Sequence, residues 1–228
     1  MGNRHASVVV GVALAIALGP APGGAGERHL CFGEPATIVG TEGDDSLEGT
    51  AGDDVIVALG GTDWVAGRGG DDRICAGGGG TYLDGEVVRG GRGNDRIAGG
   101  AGSEDLIGNG GDDRILGGRG KSETLNGGPG ADYLRGGPGH EHLIGDLPGK
   151  VAREHGVTGG ADVLLGGGGS DTLTGYADDD FLDGGPGDDA LQGYAGKDTL
   201  DGNDGTDSAD GGGGIDRCLN AETEKRCE

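Results

Sequence analysis

The chain has 228 residues, with 40 Asp and Glu against 17 Lys and Arg, a formal charge of −23, and 60 glycines. The acidic balance argues against a nucleic-acid partner, whose phosphates it would repel, and against stable insertion into an anionic membrane. Glycine loses the most backbone freedom on folding and only 3% of residues are aromatic, so an ordinary apolar core cannot hold this chain, and a cation is the partner that fits.

Read from the N-terminus, Met1–Ser7 carries Arg4, Val8–Leu18 is an uncharged apolar run, and "GPAPGGAG" follows with a helix breaker and small residues. This is the order of a secretory signal peptide, expected over residues 1–26. The run is too short to span a bilayer comfortably. The mature protein is therefore expected to be secreted and extracellular. Four cysteines in an exported chain imply two disulfides, and four cysteines allow three connectivities. Cys31 with Cys75 and Cys218 with Cys227 is the favoured pairing, because each bridge then closes one end.

Residues 27–85 read as an N-terminal cap and a first repeat block. Asp45, Asp54, Asp63 and Asp72 stand nine apart, each followed two residues later by Leu47, Ile56, Val65 or Ile74. Residues 86–156 read as a middle block with irregular turns. There Asp95, Glu104 and Asp113 keep the period, and Asp132 and Glu141 resume it after a slip. The slipped stretches are "AGGGGTYLDGEVV", "RGKSETLNG" and "GDLPGKVAREHGV", expected to be insertions or weak turns. Tyr82 and Ser122 come close to the acid place in the first two, which speaks against metal there. Residues 157–219 form the regular block: Asp162, Asp171, Asp180, Asp189, Asp198, Asp207 and Asp216 are in unbroken nine-residue register. Residues 220–228 read as a C-terminal cap.

A fixed nine-residue period in a glycine-rich chain means a solenoid of stacked short turns. In "GGPGDDALQ", residues 184–192, the first six residues suit a turn and the last three one short strand. Strand side chains alternate, so only Leu191 points inward, and two such units close one coil of 18 residues. Aspartates 18 residues apart then stack about 4.8 Å apart. Two like charges at that spacing repel by roughly 3 kcal/mol at an effective dielectric of 20. A hard dication that takes six to eight oxygen ligands, carboxylates and carbonyls among them, reverses that sign. Calcium, in several ions, is the expected cofactor.

The unit matches G-G-x-G-x-D-x-U-x and resembles the RTX calcium-binding nonapeptide. Other good copies are "GGRGNDRIA" (90–98), "GGPGADYLR" (127–135) and "GGGGSDTLT" (166–174). Residues 31–228 as a whole are similar to small secreted calcium-binding proteins of actinomycete type. The resemblance implies an all-β parallel β-roll with disulfide-closed ends. It also implies ions held between adjacent turns by the repeat aspartate and glycine-turn carbonyls. Carried over, the ligand pairs are Asp45 with Asp63, Asp54 with Asp72, and Asp95 with Asp113. In the long block they run along Asp162–Asp180–Asp198–Asp216 and Asp171–Asp189–Asp207. Asp132 joins the set, while Glu104 and Glu141 depart from the pattern.

His140-Glu141-His142 lacks the spacing of H-E-x-x-H and reads as solvent-exposed. No G-x-S-x-G elbow occurs, and no enzymatic domain has room beside the repeats. The expected role is structural, adhesive or ion-responsive, with an unidentified protein or glycan partner. The competing reading is a surface-binding solenoid for ice or glycan. Ice binding needs a flat threonine or asparagine array, whereas the outward columns run Val163, Phe181, Thr199, Arg217 and Thr172, Ala190, Ser208.

Overall fold

The computed structural model describes residues 29–78, 86–148 and 159–228. Every regular element among them is a strand. Three-residue strands such as Val163–Leu165 bury only their middle residue, as the alternation of a strand requires. Six-residue strands such as Phe181–Pro186 continue into the following glycine turn.

Successive strands along the chain alternate between two ten-stranded parallel sheets. One runs from Ile38–Val39 to Arg217–Leu219, the other from Ser46–Glu48 to Thr223–Lys225. Each coil is therefore two nonapeptides, as the period predicts. The register aligns the inward residues: Leu164 lies beside Leu182, Leu182 beside Leu200, and Leu200 beside Cys218. The second sheet aligns Leu173, Leu191 and Ala209 in the same way.

The core is thus a single file of aliphatic side chains from each sheet, nearly all fully buried. Burying one such side chain stabilises by about 1.5–3 kcal/mol. Ordering one residue costs about 1–2 kcal/mol, so one aliphatic per nine residues does not offset the turns.

The slipped stretches do not interrupt the stack. Glu86–Arg92 and Thr124–Asn126 are strands in register with their neighbours, and Val88 and Leu125 are fully buried. The expectation of insertions or weak turns is corrected in part here. Val87-Val88 and Thr124-Leu125 lie on repeat strands of their own, each preceded by a buried acid, Glu86 or Glu123. Tyr82 lies outside the described residues, and so does the expected signal peptide.

Close stacking makes several turn glycines obligatory. Gly187 has φ +146°, and a Cβ there would stand 1.5 Å from the carbonyl oxygen of Gly169 in the coil beside it.

Both ends are covalently tied. Cys31 bridges Cys75 and Cys218 bridges Cys227, with Cα–Cα distances of 5.7 and 5.6 Å. Leu30–Cys31 and Glu34–Pro35 form a small antiparallel hairpin at the N-terminal end. At the other end Thr223–Lys225 pairs with Ser208–Asp210 as a last half-coil. The tail therefore extends the sheet as well as covering it, and it protects an edge that would otherwise present unpaired backbone.

Candidate metal centres

The turns on one side of the roll carry Asp54, Asp72, Asp95, Asp113, Asp132, Asp162, Asp180, Asp198 and Asp216 in a single column. Each aspartate from Asp72 onward accepts, through Oδ1, the backbone N–H of the aspartate in the preceding coil, at 2.7–3.0 Å. The column passes through all three slips. Asp72 N–H reaches Asp95 across 23 residues, Asp113 N–H reaches Asp132 across 19, and Asp132 N–H reaches Asp162 across 30.

The turns on the opposite side carry Asp45, Asp63, Glu86, Glu104, Glu123, Glu141, Asp171, Asp189 and Asp207. The Asp45 N–H donates to Asp63, Glu141 to Asp171, Asp171 to Asp189 and Asp189 to Asp207. Glu222 of the tail closes this column by accepting the Asp207 N–H at 2.6 Å.

In the repeat aspartates from Asp63 onward one oxygen is thus fixed by the stack and the other is left over, whereas Oδ2 of Asp45 and Asp54 accepts from the backbone N–H and hydroxyl of Thr41 and Thr50. Oδ2 of Asp63, Asp72, Asp95, Asp113, Asp132, Asp162, Asp171, Asp180, Asp189, Asp198, Asp207 and Asp216 is buried without a hydrogen-bond partner. Buried polar atoms are almost always paired, so a regular series of exceptions points to a missing positive partner. The free oxygen faces glycine backbone. A Cβ at Gly166 would lie 2.5 Å from Asp171 Oδ2 and 2.6 Å from the Gly184 carbonyl oxygen. Glycine leaves this space open between a carboxylate of one turn and a carbonyl of the next. An all-oxygen set of this kind fits a hard dication such as Ca²⁺. Among the described residues no three acidic, His or Cys side chains converge on one point, so backbone carbonyls would supply most of the ligands.

Burial acts on these acids as expected for charge without compensation. Desolvation is the largest cause. It pushes the Asp162 carboxyl up to about 9 and that of Asp180 up to about 8. Asp95, Asp113, Asp132 and Asp171 are raised to about 7, and Asp72, Asp189 and Asp198 to about 6. In each of them the stacked backbone N–H opposes the rise, and neighbouring carboxylates add to it.

Four consecutive acids of the second column are glutamates. Glu104 and Glu141 stand where the nine-residue count places them. A forward count from Asp72 or Asp113 passes over Glu86 and Glu123, because the phase slips before them, although each stands nine residues before the next repeat acid, Asp95 or Asp132. The signal that could have found them is local: an acid followed two residues later by an inward aliphatic, Val88 or Leu125. All four are buried, and both carboxyl oxygens of Glu86, Glu123 and Glu141 lack partners. Burial raises Glu86 to about 8, and Glu104 and Glu141 to about 7.

A second, outer ladder was not anticipated. The residue before the repeat acid accepts a backbone N–H from the neighbouring coil. Asp53 accepts from Asp71, Asp71 from Asn94, Asn94 from Asp112, and Asp112 from Ala131. The opposite side has a matching ladder, in which Asp44 accepts from Thr62 and Asp188 from Thr206, and there His140 substitutes its ring, with Nδ1 accepting the Ser170 N–H at 2.9 Å. His140 is therefore a turn residue here. On the outer face Arg73, Arg96 and Arg114 align on adjacent coils, and Arg114 lies 4.5 Å over the Tyr133 ring.

A family profile, the RTX calcium-binding nonapeptide repeat, matches residues 39–74, 48–83, 82–115, 117–147, 157–191 and 183–218. The chain belongs to the RTX calcium-binding nonapeptide repeat family. Membership implies calcium binding by a β-roll, and the buried repeat acids agree with it. The matched segments include the glutamate turns, so this RTX roll carries Asp and Glu at the same structural place. Comparison with curated proteins finds no match.

Proposed function

We propose that this RTX chain is an exported, non-catalytic protein in which stacked calcium ions take the place of an apolar core. Its role is structural, adhesive or ion-responsive. The observation that carries the reading is the one free, buried carboxylate oxygen in turn after turn, facing glycine carbonyls. The ligands in this reading are Asp45, Asp54, Asp63, Asp72, Asp95, Asp113, Asp132, Asp162, Asp171, Asp180, Asp189, Asp198, Asp207 and Asp216. Export is supported by the signal-like residues 1–26 and by two disulfides, which persist in oxidising compartments. The mixed outward columns, Val163–Phe181–Thr199–Arg217 and Thr172–Ala190–Ser208, do not favour an ice-binding face.

Equilibrium dialysis of metal-stripped protein against ⁴⁵Ca²⁺ at neutral pH tests the reading. Several ions per chain are expected, with magnesium competing poorly because it demands near-octahedral geometry and sheds water reluctantly. Binding of no more than one ion per chain would refute a stacked series.

A further inference from the structure

The turn from Gly145 to Asp162 differs from every other turn in its column. In the neighbouring coils the second place of the turn is held by Gly128, Tyr176 and Tyr194, all in the left-handed region with φ of 102°, 83° and 76°. Asp146 occupies that place here. Its N–H donates to the Gly175 carbonyl at 3.2 Å, and the Gly145 carbonyl before it accepts from Gly128 N–H at 2.8 Å. It is not left-handed. Its side chain does not stand on the surface as Tyr194 does, at 46% exposed, and Asp146 is only 1% exposed.

Burying a carboxylate without compensation is costly, and Asp146 has little compensation. Oδ2 accepts one long bond, 3.2 Å, from the Gly160 N–H, and Oδ1 has no partner at all. The free Oδ2 of Asp162 belongs to the same turn, and a Cβ at Gly145 would lie 2.1 Å from it. Gly159 is equally constrained, since a Cβ there would lie 1.7 Å from Asp146 Oδ2. The carboxylates of Asp132, Asp162 and Asp180 all feel the charge of Asp146. The neighbouring coils carry one buried acid in this stretch of the column, and this one carries two, Asp146 and Asp162.

We propose that Asp146 is an additional calcium ligand, which together with Asp162 forms a cation site of higher charge than the repeat supplies. The inference rests on the calcium reading of the roll. Calcium affinity rises with the number of charged ligands, so this site fills before the others and seeds the stack at its most heavily interrupted turn.

The test is calorimetric titration of metal-stripped full-length protein with CaCl₂, comparing the wild type with Asp146→Asn and Asp146→Gly. The glycine variant installs the residue that Gly128 supplies at this place in the adjacent coil, and the asparagine variant keeps the side-chain shape while removing its charge. Circular dichroism in saturating calcium checks that each variant folds. The wild type is expected to show a tightest class of about one ion per chain. Both variants are expected to weaken that class at least tenfold and to leave the remaining ions in place. Calcium uptake by the wild type with variant isotherms superimposable on it would overturn the assignment of Asp146 and leave the calcium reading standing. Absence of uptake by the wild type would instead overturn the calcium reading, and this inference with it.

Discussion

Stripped of metal, the chain is expected to gain β structure as the pH is lowered from about 9 to about 4. Desolvation raises buried carboxyl groups in both columns, to about 9 at Asp162, about 8 at Asp180 and Glu86, and about 7 at Asp95, Asp113 and Asp132. In the unfolded chain the same groups titrate near 4. Between those values the folded roll binds more protons than the coil, so its stability falls as the pH rises. The contribution is complete below about 4 and is lost through the range from about 6 to about 9. Protons thereby stand in for calcium, neutralising oxygens that otherwise repel. Far-UV circular dichroism in EDTA across that range, at low protein concentration, measures the effect. Metal-free β signal that grows with rising pH would contradict the assignment of the buried acids as the groups that oppose folding.

A substitution within the aspartate column should change sign with calcium. Asp132 accepts the N–H of Asp113 through Oδ1 and leaves Oδ2 free. Asp132→Asn preserves the accepting oxygen and removes the charge. In EDTA at neutral pH the variant should be more stable than the wild type, because one member of a repelling column is gone. In saturating calcium it should be less stable and should bind fewer ions, because the places on either side share this carboxylate. Asp132→Ala removes the acceptor too and leaves a buried N–H unpaired, a further cost of about 1–3 kcal/mol. Thermal melts of both variants with and without calcium distinguish the terms. The same direction of change in both conditions would show that the carboxylate acts only as a hydrogen-bond acceptor.

Asp132 also illustrates where the sequence was legible and where it was not. Its position beside two phase slips suggests a weakly coupled turn, whose loss would matter less than that of Asp189. The structure places it mid-column, with Asp113 and Asp162 hydrogen-bonded on either side as closely as Asp171 and Asp207 around Asp189. Register in a solenoid is set by strand-to-strand pairing, and the strands on either side of each slip keep it. Strict counting from Asp63 or Asp113 cannot see this.

The regular parts were readable because acid and aliphatic recur together at fixed distance, as at Asp198 and Leu200. The two-sheet coil follows directly from that recurrence. The disulfide pairing was favoured by position alone, each bridge closing one end, and the structure contains both. Glu86 and Glu123 escape a forward count because the phase slips before them, Glu222 because it lies in the tail beyond the last repeat, and Asp146 because its place in the turn has no fixed residue, being held by Gly128, Tyr176 and Tyr194 in neighbouring coils. The outer ladder through Asp71 and Asn94 escaped for another reason: in the sequence these residues look like surplus surface charge, and only stacking gives their oxygens a partner.

The most direct test of calcium in place of a core is the far-UV circular dichroism of the disulfide-intact chain at neutral pH, first in EDTA and then with calcium in excess. A coil spectrum in EDTA that converts to β signal on adding calcium, and reverts on chelation, is the predicted result. Full β signal in EDTA at neutral pH, unchanged by calcium, would contradict the account.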